Sequence, residues 1–156
     1  TDSLGGLLHS VGKVVMAYAF PDELRTLMAE PLATPADLCR RERELIGWDH
    51  GRIGAHYLTR HQLSEEIVTA VYYHNDPDHA PRHRLFAAAV QVADYLARHA
   101  GVSGGFETVE PIAADSWLAL PGWHILYGAD GDESMLARAS LANTLKRLPT
   151  MLQGLL

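Results

Sequence analysis

The sequence predicts an all-α, multi-helix bundle, and three observations carry that prediction. Apolar residues recur at three- and four-residue intervals along most of the chain. Helix start signals, a capping residue followed by proline or acids, punctuate it at short intervals. No window shows the strict alternation of a half-buried strand, no repeat is visible and nothing is low-complexity. With 156 residues, 47% apolar and 21% charged, the chain suits a single globular domain with a real core.

The elements follow in order. Residues 3–19 place Leu4, Leu7, Leu8, Val11, Val14, Val15 and Tyr18 at helical spacing. Pro21 opens a second helix, with Asp22 and Glu23 at the positive end of its dipole, carrying Leu24, Leu27 and Met28 and stopping near Pro31. Thr34-Pro35-Ala36-Asp37 starts a third that runs to about Ile46, where Gly47 ends it. Asp49 caps the next, from His50 to about Arg60, with Ile53, Tyr57 and Leu58 inward. Gly51 and Gly54 lower the propensity of that helix, so a neighbour is expected to approach it closely. Ser64 caps a helix that buries Ile67, Val68, Val71 and Tyr72 and ends at His74-Asn75-Asp76-Pro77. After a turn-rich stretch at 76–84, a long helix from about His83 to Ala100 places Leu85, Phe86, Ala89, Val92, Ala93 and Leu96 on one face. Gly101 and Gly104-Gly105 break it. Residues 106–130 are the least regular, with short helices at Ile112 to Leu120 and Trp123 to Tyr127. Asp132-Glu133-Ser134 starts a final helix whose apolar stripe suits pairing in a homodimer.

Composition narrows the function. A net charge of −6 and no basic patch argue against a nucleic-acid partner. The cluster Arg40-Arg41-Glu42-Arg43 is broken by an acid and reads as a solvated helix face. One cysteine, Cys39, permits no intrachain disulfide, reads as a small buried hydrophobe and fits a reducing, cytoplasmic setting. No apolar run approaches the roughly 20 residues of a membrane span.

Four motifs then fall in one order. Leu7-Leu8-His9-Ser10-Val11-Gly12-Lys13 resembles the His-Asp signature of the HD superfamily. Glu44 through Gly47, Asp49-His50, Ile53 and Gly54-Ala55 are similar to a segment of HDOD domains, relatives of the bacterial HD-GYP phosphodiesterases. Leu63-Ser64-Glu65-Glu66-Ile67 with His74-Asn75-Asp76-Pro77, and Val92-Ala93-Asp94-Tyr95-Leu96-Ala97, resemble two further helices of that family. The motif-bearing part covers about residues 4–100, and 106–156 reads as a helical extension. In such domains several helices precede the first motif, so the resemblance implies an N-terminal region beyond the residues given.

The resemblance implies a site at His9, His50, His74 and Asp94, with Lys13, Ser10 and Asn75 as ligand-facing residues. An active HD site uses the motif's aspartate to bridge metal ions that activate water against a phosphoryl group. Here position 10 is Ser, a neutral hydroxyl that bridges nothing, and position 75 is Asn where many relatives carry a second His. The remaining three imidazoles and one carboxylate suit one divalent transition metal (Fe, Mn, Zn or Ni) or a polar core network with no metal. His56, His61, His79, His83, His99 and His124 read as surface or packing residues. The expectation is a regulatory, signal-transduction HDOD domain without catalysis, binding a signalling protein, a neighbouring domain or a nucleotide. The alternative is a metal-dependent phosphohydrolase acting on a nucleotide or cyclic dinucleotide.

Overall fold

The computed structural model describes residues 2–99, 116–128 and 132–153. The chain is all-α. Its helices are α1 (Asp2–Leu8), α2 (Val11–Ala19), α3 (Pro21–Ala29), α4 (Pro35–Ile46), α5 (His50–Arg60), α6 (Glu65–Tyr73), α7 (Arg84–His99), α8 (Pro121–Tyr127) and α9 (Asp132–Gln153). Short 3₁₀ turns at Pro77–His79 and Ser116–Ala119 precede α7 and α8. The glycines at 101, 104 and 105 and the predicted helical residues 112–115 lie outside the described residues.

Several start and stop signals act as their chemistry predicts. The Thr34 hydroxyl accepts from the Asp37 N–H, Asp49 accepts from the Arg52 N–H, and Gly47 closes α4 in the left-handed region at φ 92°. Ser64 stands at the cap position of α6, but its side chain makes no cap bond.

The predicted helix over 3–19 is two helices. His9 turns its ring back to donate from Nδ1 to the Gly6 carbonyl at 2.6 Å, and the Lys13 N–H takes the Ser10 carbonyl at 3.0 Å. These local bonds replace the regular ladder at the break. Consequently Leu7, Val14 and Tyr18 face outward, while Gly12, Lys13 and Met16 are buried.

Three cores hold the helices. Leu58, Ile67, Ala70, Val71, Phe86 and Val90 join α5, α6 and α7. Met16, Leu27, Leu38 and Ile53 join α2 to α5, with Leu32 beside them. Val92 and the fully buried Trp123 gather α7, α8 and part of α9. Full burial of one such side chain stabilises by about 1.5–3 kcal/mol. Tyr57, Tyr72 and Leu85, expected inside, are exposed, as are Ala89 and Ala93. Each lies at the margin of its apolar stripe, where periodicity alone is least discriminating. On α9, Met135 and Leu136 are exposed while Leu141 packs toward the third core.

Helices α2 and α5 cross at their glycines. A Cβ on Gly12 would collide with the His50 carbonyl, and one on Gly54 would meet the Gly12 nitrogen at 3.0 Å. This close approach sets His9 and Ser10, just before α2, beside the start of α5.

Candidate functional site

Two polar pairs lie side by side at the heart of the bundle. In the first, His9 Nε2 stands 3.0 Å from Asp94 Oδ1, and Asp94 Oδ2 accepts from Arg98 Nε at 2.9 Å. Both nitrogens of His9 face oxygen acceptors, the Gly6 carbonyl and the Asp94 carboxylate. Burial alone would raise the Asp94 pKa, but the bonds from His9 and Arg98 outweigh it and hold the carboxyl well below the usual range.

In the second, the Glu42 carboxylate receives His50 Nδ1–H, with oxygens at 2.7 and 2.9 Å, and also the His50 backbone N–H at 2.9 Å. His74 Nδ1 donates to the Val71 carbonyl at 2.7 Å. Each ring therefore presents its Nε2 toward the other, and the two atoms are 3.3 Å apart. The Asn75 amide lies between them, its Nδ2 at 3.0 Å from His74 Nε2 and 3.3 Å from His50 Nε2. One amide group thus donates to both rings. His74 is fully enclosed, and burial, helped by the neighbouring His50 and His9, pushes its pKa down to about 3. The ring is neutral, as an acceptor must be.

The two pairs touch. The His9 and His74 rings meet edge to face with centroids 5.2 Å apart, and those of His50 and His74 lie 5.3 Å apart. The four residues singled out in the sequence therefore share one connected network, divided into two bonded sets. Ser10 is half-buried at the start of α2, and Lys13 is buried rather than a surface side chain. Of the other histidines, 56, 61, 79, 83 and 124 are exposed, and the side chain of His99 lies outside the described residues.

Three participants were not singled out in the sequence. Glu42 belongs to the cluster read as a solvated face, yet it is buried, and it rather than Glu44 holds His50. Its signal was positional: Leu38, Cys39, Glu42, Leu45 and Ile46 form the inner stripe of α4, and Glu44 falls outside it, paired with Arg41 at the surface. Arg98 follows Asp94 by four residues, the helical spacing for an ion pair. Gln91 donates to the Asn75 carbonyl at 3.2 Å and accepts the Gly122 N–H at 2.8 Å, a long-range link with no sequence signature.

Cys39, Glu42 and His50 also bring a thiol, a carboxylate and an imidazole within 4.8 Å of one another. Burial, then the carboxylates of Glu42 and Asp49, drive the Cys39 thiol pKa up, against a smaller opposing pull from Arg43 and Lys13. The thiol stays protonated, a packing residue rather than a reactive one.

Two cavities flank Asn75. One of about 440 Å³ lies between α4, the start of α5 and the end of α6, bounded by Cys39, Arg43, Trp48, Arg52, Tyr73 and Asn75 among others. The other, of about 320 Å³, is bounded by Thr34, Gln91, Asp94, Tyr95 and Pro121 with Asn75 and neighbours. Among the described residues no helix is long and apolar enough to cross a membrane.

The bundle carries a histidine at the break before α2, a histidine opening α5, a histidine closing α6 and an aspartate on α7, the order expected from the resemblance to His-Asp domains. Residues 3–77 match the family model of the HDOD domain, and that segment belongs to the HDOD family. The match takes in His9, Ser10, His50, His74 and Asn75, and ends before Asp94. No curated protein and no solved structure matches the chain significantly.

Proposed function

We propose that this chain is a regulatory, signal-transduction HDOD domain that acts by binding a signalling protein, a neighbouring domain or a nucleotide-like ligand in the cytoplasm, without catalysis. The observation that carries the reading is the commitment of the site's groups to one another. Ser10 supplies a hydroxyl where a metal bridge needs a carboxylate. Asp94 is held by His9 and Arg98, and the Asn75 amide occupies the angle between His50 and His74. Two metal ions with a shared carboxylate do not fit these residues, so no hydrolytic step follows from them. The buried, unbridged Cys39 accords with a reducing compartment.

One observation favours the second reading, a metal-dependent phosphohydrolase. Two nitrogens ligating a tetrahedral ion at about 2.0–2.1 Å stand about 3.3 Å apart, and His50 Nε2 and His74 Nε2 are 3.3 Å apart. These two imidazoles fit one transition ion (Fe, Mn, Zn or Ni), provided the Asn75 amide turns aside. Elemental analysis of the purified chain, with hydrolysis assays on bis-p-nitrophenyl phosphate and cyclic di-GMP, separates the two. The regulatory reading expects substoichiometric metal and turnover at background. Stoichiometric metal that disappears in His50→Ala, together with metal-dependent turnover, would overturn it.

A further inference from the structure

We infer that the cavity of about 440 Å³ beside α4 binds a small planar aromatic ring bearing an anionic group, carboxylate or phosphate, with Arg52 as the anion-binding residue. The inference rests on the binding role proposed above and names the ligand chemistry. It starts from the charges on the cavity wall. Arg43 is spent on Asp49 at 2.6 Å, and the other oxygen of Asp49 caps α5. Asp76 at the rim is paired with His79 at 2.8 Å. Among the described residues Arg52 has no carboxylate partner. Its guanidinium lies over the Trp48 ring, 4.3 Å from the centroid. A guanidinium held over an indole keeps its N–H donors available, and those donors suit a carboxylate or phosphate taken up with two parallel hydrogen bonds.

The rest of the wall suits a ring. Tyr72 and Tyr73 meet at the end of α6 with ring centroids 4.5 Å apart and planes tilted by 42°, and both border the cavity. Asn75 also lines the cavity, its side-chain nitrogen committed to the two histidines and its backbone carbonyl to Gln91, so its side-chain oxygen Oδ1 remains as an acceptor for a ring N–H. A volume of about 440 Å³ lies within the range of small-molecule sites. Occupancy of this cavity would bear directly on Asn75 and so on the buried histidine pair.

Calorimetric titration of the full chain with indole-3-acetate and with guanosine 5′-monophosphate, using inorganic phosphate as the ring-free control, tests the inference. At least one ring-bearing anion should bind saturably and about tenfold more tightly than phosphate, because stacking adds to the charge contact. Arg52→Gln should weaken it about tenfold, and Arg60→Gln, on the same helix but off the cavity wall, should not. Absence of saturable binding up to roughly 5 mM ligand would overturn the inference. So would unchanged affinity in a folded Arg52→Gln chain, or phosphate binding as tightly as the rings. A chain that is inert in the hydrolysis assays and blind to both rings overturns this site alone. Turnover of phosphodiesters with Arg52-dependent ring binding overturns only the non-catalytic reading.

Discussion

Lowering the pH from 7 to 5 should destabilise the folded chain by about 2 kcal/mol through His74 alone. In the unfolded chain this imidazole has a pKa near 6.5. In the fold, burial against His50 and His9 pushes it down to about 3. Between these values the unfolded chain binds a proton that the folded chain refuses, so stability falls as pH falls. The slope is about 1.4 kcal/mol per pH unit, and pH 5 lies about 1.5 units below the unfolded value, which gives about 2 kcal/mol. The effect begins near pH 6.5 and levels off near 3. His79 works the other way, its folded pKa raised by the bond to Asp76, so it favours folding on protonation. It is common to wild type and variant and cancels in a comparison. Urea unfolding followed by circular dichroism at pH 7 and pH 5, for wild type and His74→Gln, measures the difference. Wild type should lose about 2 kcal/mol more than the variant between the two pH values. In parallel, the ring proton of His74 in nuclear magnetic resonance should show no titration between pH 7 and 5. A His74 midpoint near 6.5, or equal losses in the two proteins, would refute the assignment of a neutral, enclosed imidazole.

The other predictions concern packing and charge. Gly12→Ala should cost about 3 kcal/mol, the upper end for overpacking, because the new methyl meets the backbone of His50, which cannot rotate away. A fall in thermal midpoint of only a degree or two would count against so close a helix crossing. Glu42→Ala should cost about 3 kcal/mol or more in urea unfolding, since it strips a buried acceptor from two His50 donors. Arg41→Ala should leave the urea midpoint nearly unchanged, although Arg41 forks onto Glu30 with Nε and Nη2, because that pair is solvated. Asp94, its carboxyl held low by His9 and Arg98, contributes stability that is intact above the ordinary carboxylate pKa near 3.9 and is lost as pH falls below it. An Asp94→Asn chain should therefore show a flatter stability profile than wild type under about pH 4.

Features that depend on a few neighbouring residues were legible in the sequence. Thr34 before Pro35, Asp49 before His50 and Gly47 after Ile46 each act through a bond within a turn of the chain, and each is where the sequence put it. The small residues of α5 likewise announced the close crossing. The break between α1 and α2 was hidden, because Leu8 and Val11 continue the same helical spacing across it. What stops the helix is the His9 ring, drawn to the Gly6 carbonyl on one side and to Asp94, 85 residues away, on the other. Glu42 was hidden differently. It stands among arginines that advertise solvent, and only its place in the stripe of Leu38, Cys39 and Leu45 marks it as internal. The links through Gln91 depend on which helices pack together, a fact the local pattern does not contain. Ser10 and Asn75 were visible as departures from a pattern. That the Asn75 amide spans the two imidazoles required coordinates.

The Gln91 side chain has a mechanical consequence. It grips the backbone of Asn75 with its nitrogen and the backbone of Gly122 with its oxygen, at 3.2 and 2.8 Å. Gly122 belongs to α8, which is packed along α7 and carries Trp123 into the core. There is little slack at this joint, since a Cβ on Gly122 would already meet the Ala88 carbonyl at 2.8 Å. A tilt of α8 by about 1 Å would stretch the Gly122 bond beyond hydrogen-bonding range. The amide then has to find a new acceptor or Gln91 has to follow, drawing on the residue wedged between the histidines. The outer side of α8 is thus a handle on the buried pair: a load applied there reaches Asn75 through two hydrogen bonds and the Gln91 side chain, and His50 and His74 through the Asn75 amide beyond.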